Sequence, residues 1–399
     1  MRNWIIATCL ALTLFRATPV ADGPLIDSMD AISFSAPKEK GRIELVSGRV
    51  GNALKFSFDE DCKGVFASGR APGGPEWDRA AGFSFWVKGD GSDHLGGIEL
   101  IWNGDYATRY ATAFPIDSTD WKKVVVPWRD LIPELGKTTQ TIDAAGGNAP
   151  SKLGPVQFGK WWYWRDYGAN SYSVDEIRLE TSIAPDVNLY RPVGNPLARV
   201  LAKLKAGRPI TMVTMGDSLT DIGHWTNREH NWPAALKARI KQTYGSDVTI
   251  INPAMGGTEL RQNLIVMPRW TRKTPAPDLV TILFGFNDWS SGMRGPAFSA
   301  AQQDAVERIR RATGGRADVL ILTCCPTLEN GDALGEMAAG CREAARLKNA
   351  GLCEIYRAFQ AVPQSDKAAL YATDKVHLAL KGQELVADSV LNSMEKAGR

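Results

Sequence analysis

A chain of 399 residues is long enough for two domains with sizeable cores, and 44% hydrophobic with 23% charged residues is the composition of an ordinary globular protein. A formal net charge of +3, with no sustained Lys/Arg run interleaved with aromatics, argues against nucleic acid as the main partner. Six cysteines without paired CxxC spacing argue against zinc, and no disulfide is assigned.

The chain opens Met1-Arg2-Asn3, runs apolar from Trp4 to Phe15, and turns to small residues around Ala17 to Ala21. This is the pattern of a leader over residues 1–21, cut after Ala21, and it predicts a secreted or periplasmic protein with no membrane span in its mature chain. A buried first strand or an uncleaved anchor is the alternative, although the apolar run is short for a span.

From Leu25 to about Glu180, short alternating stretches are broken by Gly, Pro, Asn and Asp: Ala53 to Phe58, Gly82 to Val87, Gly97 to Trp102 and Trp121 to Val126. Strands at such spacing predict an all-β sandwich over residues 24–183. A linker follows over 184–195, within the stretch from Ile183 to Pro196 that holds three prolines.

From residue 196 to 399 the rhythm changes. Strand-like runs at Ile210 to Met215, Val248 to Ile251, Leu279 to Phe284, Val319 to Leu322 and Cys353 to Tyr356 alternate with amphipathic stretches at Trp232 to Tyr244, Ala300 to Thr313, Leu334 to Asn349 and Lys381 to Lys396. The βαβ order predicts a three-layer α/β domain with a mostly parallel sheet.

Three blocks follow strand ends, where catalytic groups of open α/β sheets gather. They are Gly216-Asp217-Ser218-Leu219-Thr220, Asn252-Pro253-Ala254-Met255-Gly256-Gly257-Thr258 and Gly285-Phe286-Asn287-Asp288; a fourth, Asp374-Lys375-Val376-His377, precedes the last helix. Singly, each has a structural reading as a turn, a flexible loop or a helix cap. A serine nucleophile needs a base, and His377 alone among the four histidines has a carboxylate three residues earlier to orient its ring. The tetrahedral intermediate also needs donors for its oxyanion, which the amide of Ser218, a glycine amide and the Asn287 side chain can supply.

In this order the blocks resemble the SGNH hydrolases, also called the GDSL family, over about residues 196–399. The resemblance implies the flavodoxin-like fold, Ser218 as nucleophile, Asp374 and His377 as orienter and base, and an oxyanion hole of Ser218, Gly257 and Asn287. Gly257 lies five residues after Asn252, with Gly256 as the alternative, and the family's usual glycine near Ala254 is absent. No metal and no organic cofactor is implied.

Trp225 and Trp289 lie just beyond two blocks and are candidates for a substrate wall, with core packing as the equal alternative; His224 and His230 follow the nucleophile closely and could line its pocket, but an exposed loop or capping position is the favoured reading of each. Phe83-Ser84-Phe85-Trp86-Val87-Lys88-Gly89-Asp90-Gly91 and Val174 to Leu179 give the first domain a resemblance to the jelly-roll fold of carbohydrate-binding modules. Within it, Trp161, Trp162 and Trp164 are the tryptophans expected to be exposed. Together the two resemblances imply an exported serine esterase that removes acetyl groups from an acetylated carbohydrate. An O-acetyltransferase, a lipase-like general esterase and a catalytically silent carbohydrate-binding or adhesion protein are the alternatives.

Overall fold

A computed structural model of the chain describes residues 23–69, 73–135, 140–184 and 190–398. The leader expected over residues 1–21 lies outside them. Among the described residues, no helix is long and apolar enough to cross a membrane.

The first half forms two antiparallel sheets. One runs in the order Gly41–Ser47, Asn52–Phe58, Asn170–Glu180, Gly82–Gly89, Lys122–Pro127, with Leu25–Asp27 also paired to Asn170–Glu180. The other runs Ile132–Pro133, Asp105–Pro115, Leu95–Trp102, Leu153–Gly159, Val65–Ser68, Phe34–Ser35. Alternation along Gly82–Gly89 turns Phe83, Phe85 and Val87 into a common core. There the sheets meet face to face, Phe56 stacking on Phe158 at 5.1 Å and Phe85 meeting Phe114 edge-on at 5.2 Å.

In the second half five parallel strands, β1 (Ile210–Gly216), β2 (Val248–Ile251), β3 (Leu279–Leu283), β4 (Asp318–Leu322) and β5 (Gly351–Cys353), lie in the order β2-β1-β3-β4-β5. Each face of this sheet is covered, which is why β3 and β4 read as unbroken apolar runs. Val213, Met215, Val280 and Ile282 face one core with Leu264, Phe298 and Met337. Met212, Leu279 and Leu320 face the other with Leu236, Ile240 and Val390. Helix Trp232–Tyr244 illustrates the local signals: Asn231 caps it by accepting from the Ala234 N–H at 2.9 Å, and Gly245 ends it at φ 70°. The strand expected over Cys353 to Tyr356 ends instead at Cys353. Ile355 and Phe359, four apart, bury one face of helix Ile355–Gln360, and that packing wins over the strand-like alternation.

The strand order reverses beside β1. The chain leaves β1 for β2 on one side and returns to β3 on the other, so the ends of β1 and β3 form the crevice in which such sheets hold their ligands.

The two halves share a core. Leu95, Ile132, Trp161, Tyr163 and Trp164 of the sandwich belong to the same buried cluster as Met255, Leu264 and Trp270 of the α/β half. The expected exposure of all three tryptophans is therefore corrected: Trp161 and Trp164 are buried and only Trp162 is exposed, at 50%. The segment is a single 3-10 turn, Trp162–Trp164, and not a strand, so Trp161 and Trp164, three apart, point the same way. All five described cysteines are buried and unpaired.

Candidate active site

The tight turn after β1 presents Ser218. Gly216 has no room for a side chain, since a Cβ there would stand 2.3 Å from Thr220 Oγ1. The buried Asp217 carboxylate accepts from the Leu219 N–H at 3.0 Å, while the Thr220 and Asp221 N–H groups close on the Asp217 carbonyl at 3.0 and 2.9 Å. Asn227 clamps the turn from outside, donating to the carbonyls of Ser218 (2.6 Å) and Asp221 (2.8 Å). Gln383 on the last helix, Leu380–Ala397, donates in turn to Asn227 Oδ1 at 2.8 Å.

That helix follows the turn carrying Asp374 and His377, which is closed by the Ala372 N–H on the His377 carbonyl at 2.7 Å. Asp374 Oδ2 lies 2.6 Å from His377 Nδ1, and His377 Nε2 lies 2.9 Å from Ser218 Oγ. Asp374 Oδ1 also accepts the N–H groups of Val376 and His377 at 3.1 and 2.9 Å. Partial burial pushes the Asp374 carboxyl up, but hydrogen bonds from the His377 ring and from these two amides outweigh it and hold the group below its ordinary value. With Asp374 charged against Nδ1–H, Nε2 is left to accept a proton from Ser218.

The loop after β2 lies against Ser218. A Cβ on Gly256 would sit 3.5 Å from Ser218 Cβ. The Gly256 N–H is committed to Asp221 Oδ2 at 3.0 Å, whereas the Gly257 N–H meets no acceptor among the described residues. This difference favours Gly257 over Gly256 as the free donor. Gly257 takes φ 77°, in the left-handed region that suits glycine. Asn287, at the start of helix Phe286–Ser290 beyond β3, donates through Nδ2 to the Thr258 carbonyl at 3.1 Å and makes a stretched 3.4 Å contact with Asp217 Oδ2. Thus residues from the ends of β1, β2 and β3 converge with the Asp374–His377 turn.

The histidine expected in an exposed loop or cap proves closer to the chemistry. His224 stacks on the His377 ring at 4.3 Å with 27° between planes, and burial, then the neighbouring His377, lower its pKa. A second cation at this distance is disfavoured, so His224 acts as a neutral wall for the His377 ring. Its nearness to Ser218 in the chain signals the pocket, but the stack itself joins residues far apart in the chain. His230 is exposed as expected. Trp225, 57% exposed, meets His377 edge-on at 6.1 Å and remains at the mouth of the site. Trp289 is half-buried, packs against Phe286 and the core, and carries the Arg294 guanidinium 5.7 Å from its ring centroid.

Behind this wall burial raises three carboxyls: Asp217 to about 7, Asp288 to about 6 and Glu259 to about 8, the last with a contribution from Asp288. Each folded pKa lies above the ordinary value, so folding takes up protons. The resulting stability is fully present below about pH 4 and is lost as pH rises through about 6 to 8. The melting temperature is therefore expected to fall between about pH 5.5 and about pH 9. Glu259→Gln, which has no proton to lose, flattens the upper part of that slope; thermal melts across the range check this, and an unchanged slope would remove Glu259 as its source.

Residues 214–385 match the model of the GDSL-like lipase/acylhydrolase family. Among solved structures, a lipase/acylhydrolase from Enterococcus faecalis is similar at 19% identity and TM-score 0.40, the match covering 47% of this chain and 96% of that one. An acetylxylan esterase from Geobacillus stearothermophilus is similar at 18% identity and TM-score 0.38, covering 48% of this chain and 96% of its own. No curated protein matches the chain.

Proposed function

We propose, from a C-terminal domain that is of the GDSL-like lipase/acylhydrolase family and hence a carboxylic ester hydrolase, that this chain is an exported serine esterase removing acetyl groups from a poly- or oligosaccharide. The observation that carries the serine mechanism is the continuous chain Asp374 Oδ2, His377 Nδ1, His377 Nε2, Ser218 Oγ, with steps of 2.6 and 2.9 Å.

Ser218 Oγ attacks the ester carbonyl while its proton passes to His377 Nε2. The carbonyl oxygen becomes an oxyanion that takes hydrogen bonds from the Ser218 and Gly257 amides and from Asn287, whose stretched contact to Asp217 is the one to exchange. Collapse breaks the bond to the sugar oxygen, which leaves with the proton from His377, and acetate stays esterified to Ser218. Water then gives a proton to His377 and attacks the acetyl carbon; the second tetrahedral species collapses, Ser218 recovers its proton, and acetate is released.

The sugar and the export rest on more general support: the leader-like first 21 residues, the sandwich resembling carbohydrate-binding modules, and the exposed faces of Trp162 and Trp225. Rapid-quench mass spectrometry during turnover of an aryl acetate is expected to show one acetyl group on the Ser218 peptide, and a screen of acetylated plant, algal and bacterial polymers is expected to show acetate release from at least one. No acyl adduct and no acetate would overturn the proposal. Acetylated acceptor sugar in place of acetate would make the chain a transferase.

A further inference from the structure

The geometry points to Arg165, a residue of the sandwich half, as the positioning residue that fixes the oxyanion donor of Gly257; this rests on the esterase reading above. Arg165 Nη2 donates to the Gly256 carbonyl at 2.5 Å, and its Nη1 lies 3.9 Å from Asp221 Oδ2.

The Gly256 carbonyl and the Gly257 N–H belong to one planar trans peptide, so they point in opposite directions and whatever fixes one fixes the other. Two adjacent glycines leave that plane with little steric restraint, and nothing stands within 4 Å of the position a Gly257 Cβ would occupy. Hydrogen bonds must therefore hold it. Asp221 Oδ2 anchors the preceding peptide, Met255–Gly256, through the Gly256 N–H at 3.0 Å, and Arg165 holds the Gly256–Gly257 plane itself through the Gly256 carbonyl. A cation on the carbonyl also polarises the peptide and strengthens its N–H as a donor.

Arg165 itself stands on a braced support. It takes φ 50° at the end of the Trp162–Trp164 turn, directly after Trp164, whose carbonyl accepts from Arg269 of the α/β half. Tyr167 ties down the carbonyls of Trp161 and Trp162 at 2.9 and 2.5 Å, while Trp161 and Trp164 are sunk in the shared core. The sandwich thus reaches into the ester site through one guanidinium, and the mutual orientation of the two halves sets the angle of one donor.

The test uses the full chain and a small aryl acetate, with Arg165→Ala and Arg165→Lys. Arg165→Ala is expected to lower kcat roughly 10- to 100-fold with KM changed less than about threefold, since the contact matters most when charge sits on the oxyanion. Arg165→Lys, which keeps a cationic donor, recovers most of kcat. The crystal structure of Arg165→Ala reads the peptide directly and is expected to show the Gly256–Gly257 plane rotated. A wild-type kcat in Arg165→Ala, a loss confined to KM, a lysine variant no better than alanine, or an unrotated peptide would each overturn the proposal. An inert wild type together with a rotated peptide in Arg165→Ala would remove the esterase reading alone and leave the positioning of the peptide standing.

Discussion

Ser218→Ala is expected to lower kcat for an aryl acetate about a millionfold, the drop found when a nucleophile that acts as a unit with its base is removed. Alanine deletes the attacking oxygen and leaves His377 Nε2 without the partner it meets at 2.9 Å. The Ser218 and Gly257 amides and Asn287 stay in place, so hydrolysis is not reduced to the rate in plain water; roughly a thousandfold residual acceleration remains for direct attack by solvent. His377→Ala is expected to fall nearly as far, and the double variant no further than either single one, because the two residues carry one proton between them. Stopped-flow and long-time assays of the three variants check this. A tenfold loss in Ser218→Ala, or full additivity in the double variant, would mean that the pair does not act as nucleophile and base. Stability is not at issue, since Ser218 is only half-buried and its turn is held by Asp217 and Asn227.

The α/β half was legible because its signals are local. Unbroken apolar runs mark strands covered on both faces, the caps of helix Trp232–Tyr244 are written at Asn231 and Gly245, and Ser218, Asn287, Asp374 and His377 each sit at an end of such an element. Where two local patterns compete, packing decides, as at Ile355, which alternates with Cys353 like a strand residue but is buried with Phe359 on a helix. Trp161 and Trp164 were misread because alternation presumes a regular strand, while a 3-10 turn sets residues three apart on one side. The parts of the site that escaped are those held from a distance. His224 is signalled as a pocket candidate by its closeness to Ser218, but its stack on His377, 153 residues later in the chain, is not. Arg165 belongs to the other half altogether, and Asn227 gains its meaning from the Ser218 carbonyl and Gln383. None of these has a motif, because each is defined by a tertiary contact and not by its neighbours in sequence.

A chain starting at residue 190, and so lacking the sandwich, is expected to aggregate or to melt far below the full-length protein. The cut removes Leu95, Ile132, Trp161, Tyr163 and Trp164 from the cluster they share with Met255, Leu264 and Trp270. Trp164 is fully buried, and truncating such a side chain to alanine in the intact protein costs about 3–5 kcal/mol. Losing several at once is comparable to the roughly 5–15 kcal/mol by which a domain is ordinarily stable. The polar seam goes too. The Arg269 contact to the Trp164 carbonyl, the Arg308 contact to the Arg129 carbonyl at 2.9 Å and the Arg311 contact to Asp130 at 3.2 Å all cross between the halves. Size-exclusion profiles and thermal melts of this chain, beside full-length Trp164→Ala as the milder perturbation, check the expectation. A monodisperse product melting with the parent would show that the sandwich is a passenger. Any fraction that folds is still expected to be a poor esterase, because Met255, packed under the sandwich, is the residue before Gly256, and loosening it frees the peptide that presents the Gly257 N–H to the oxyanion.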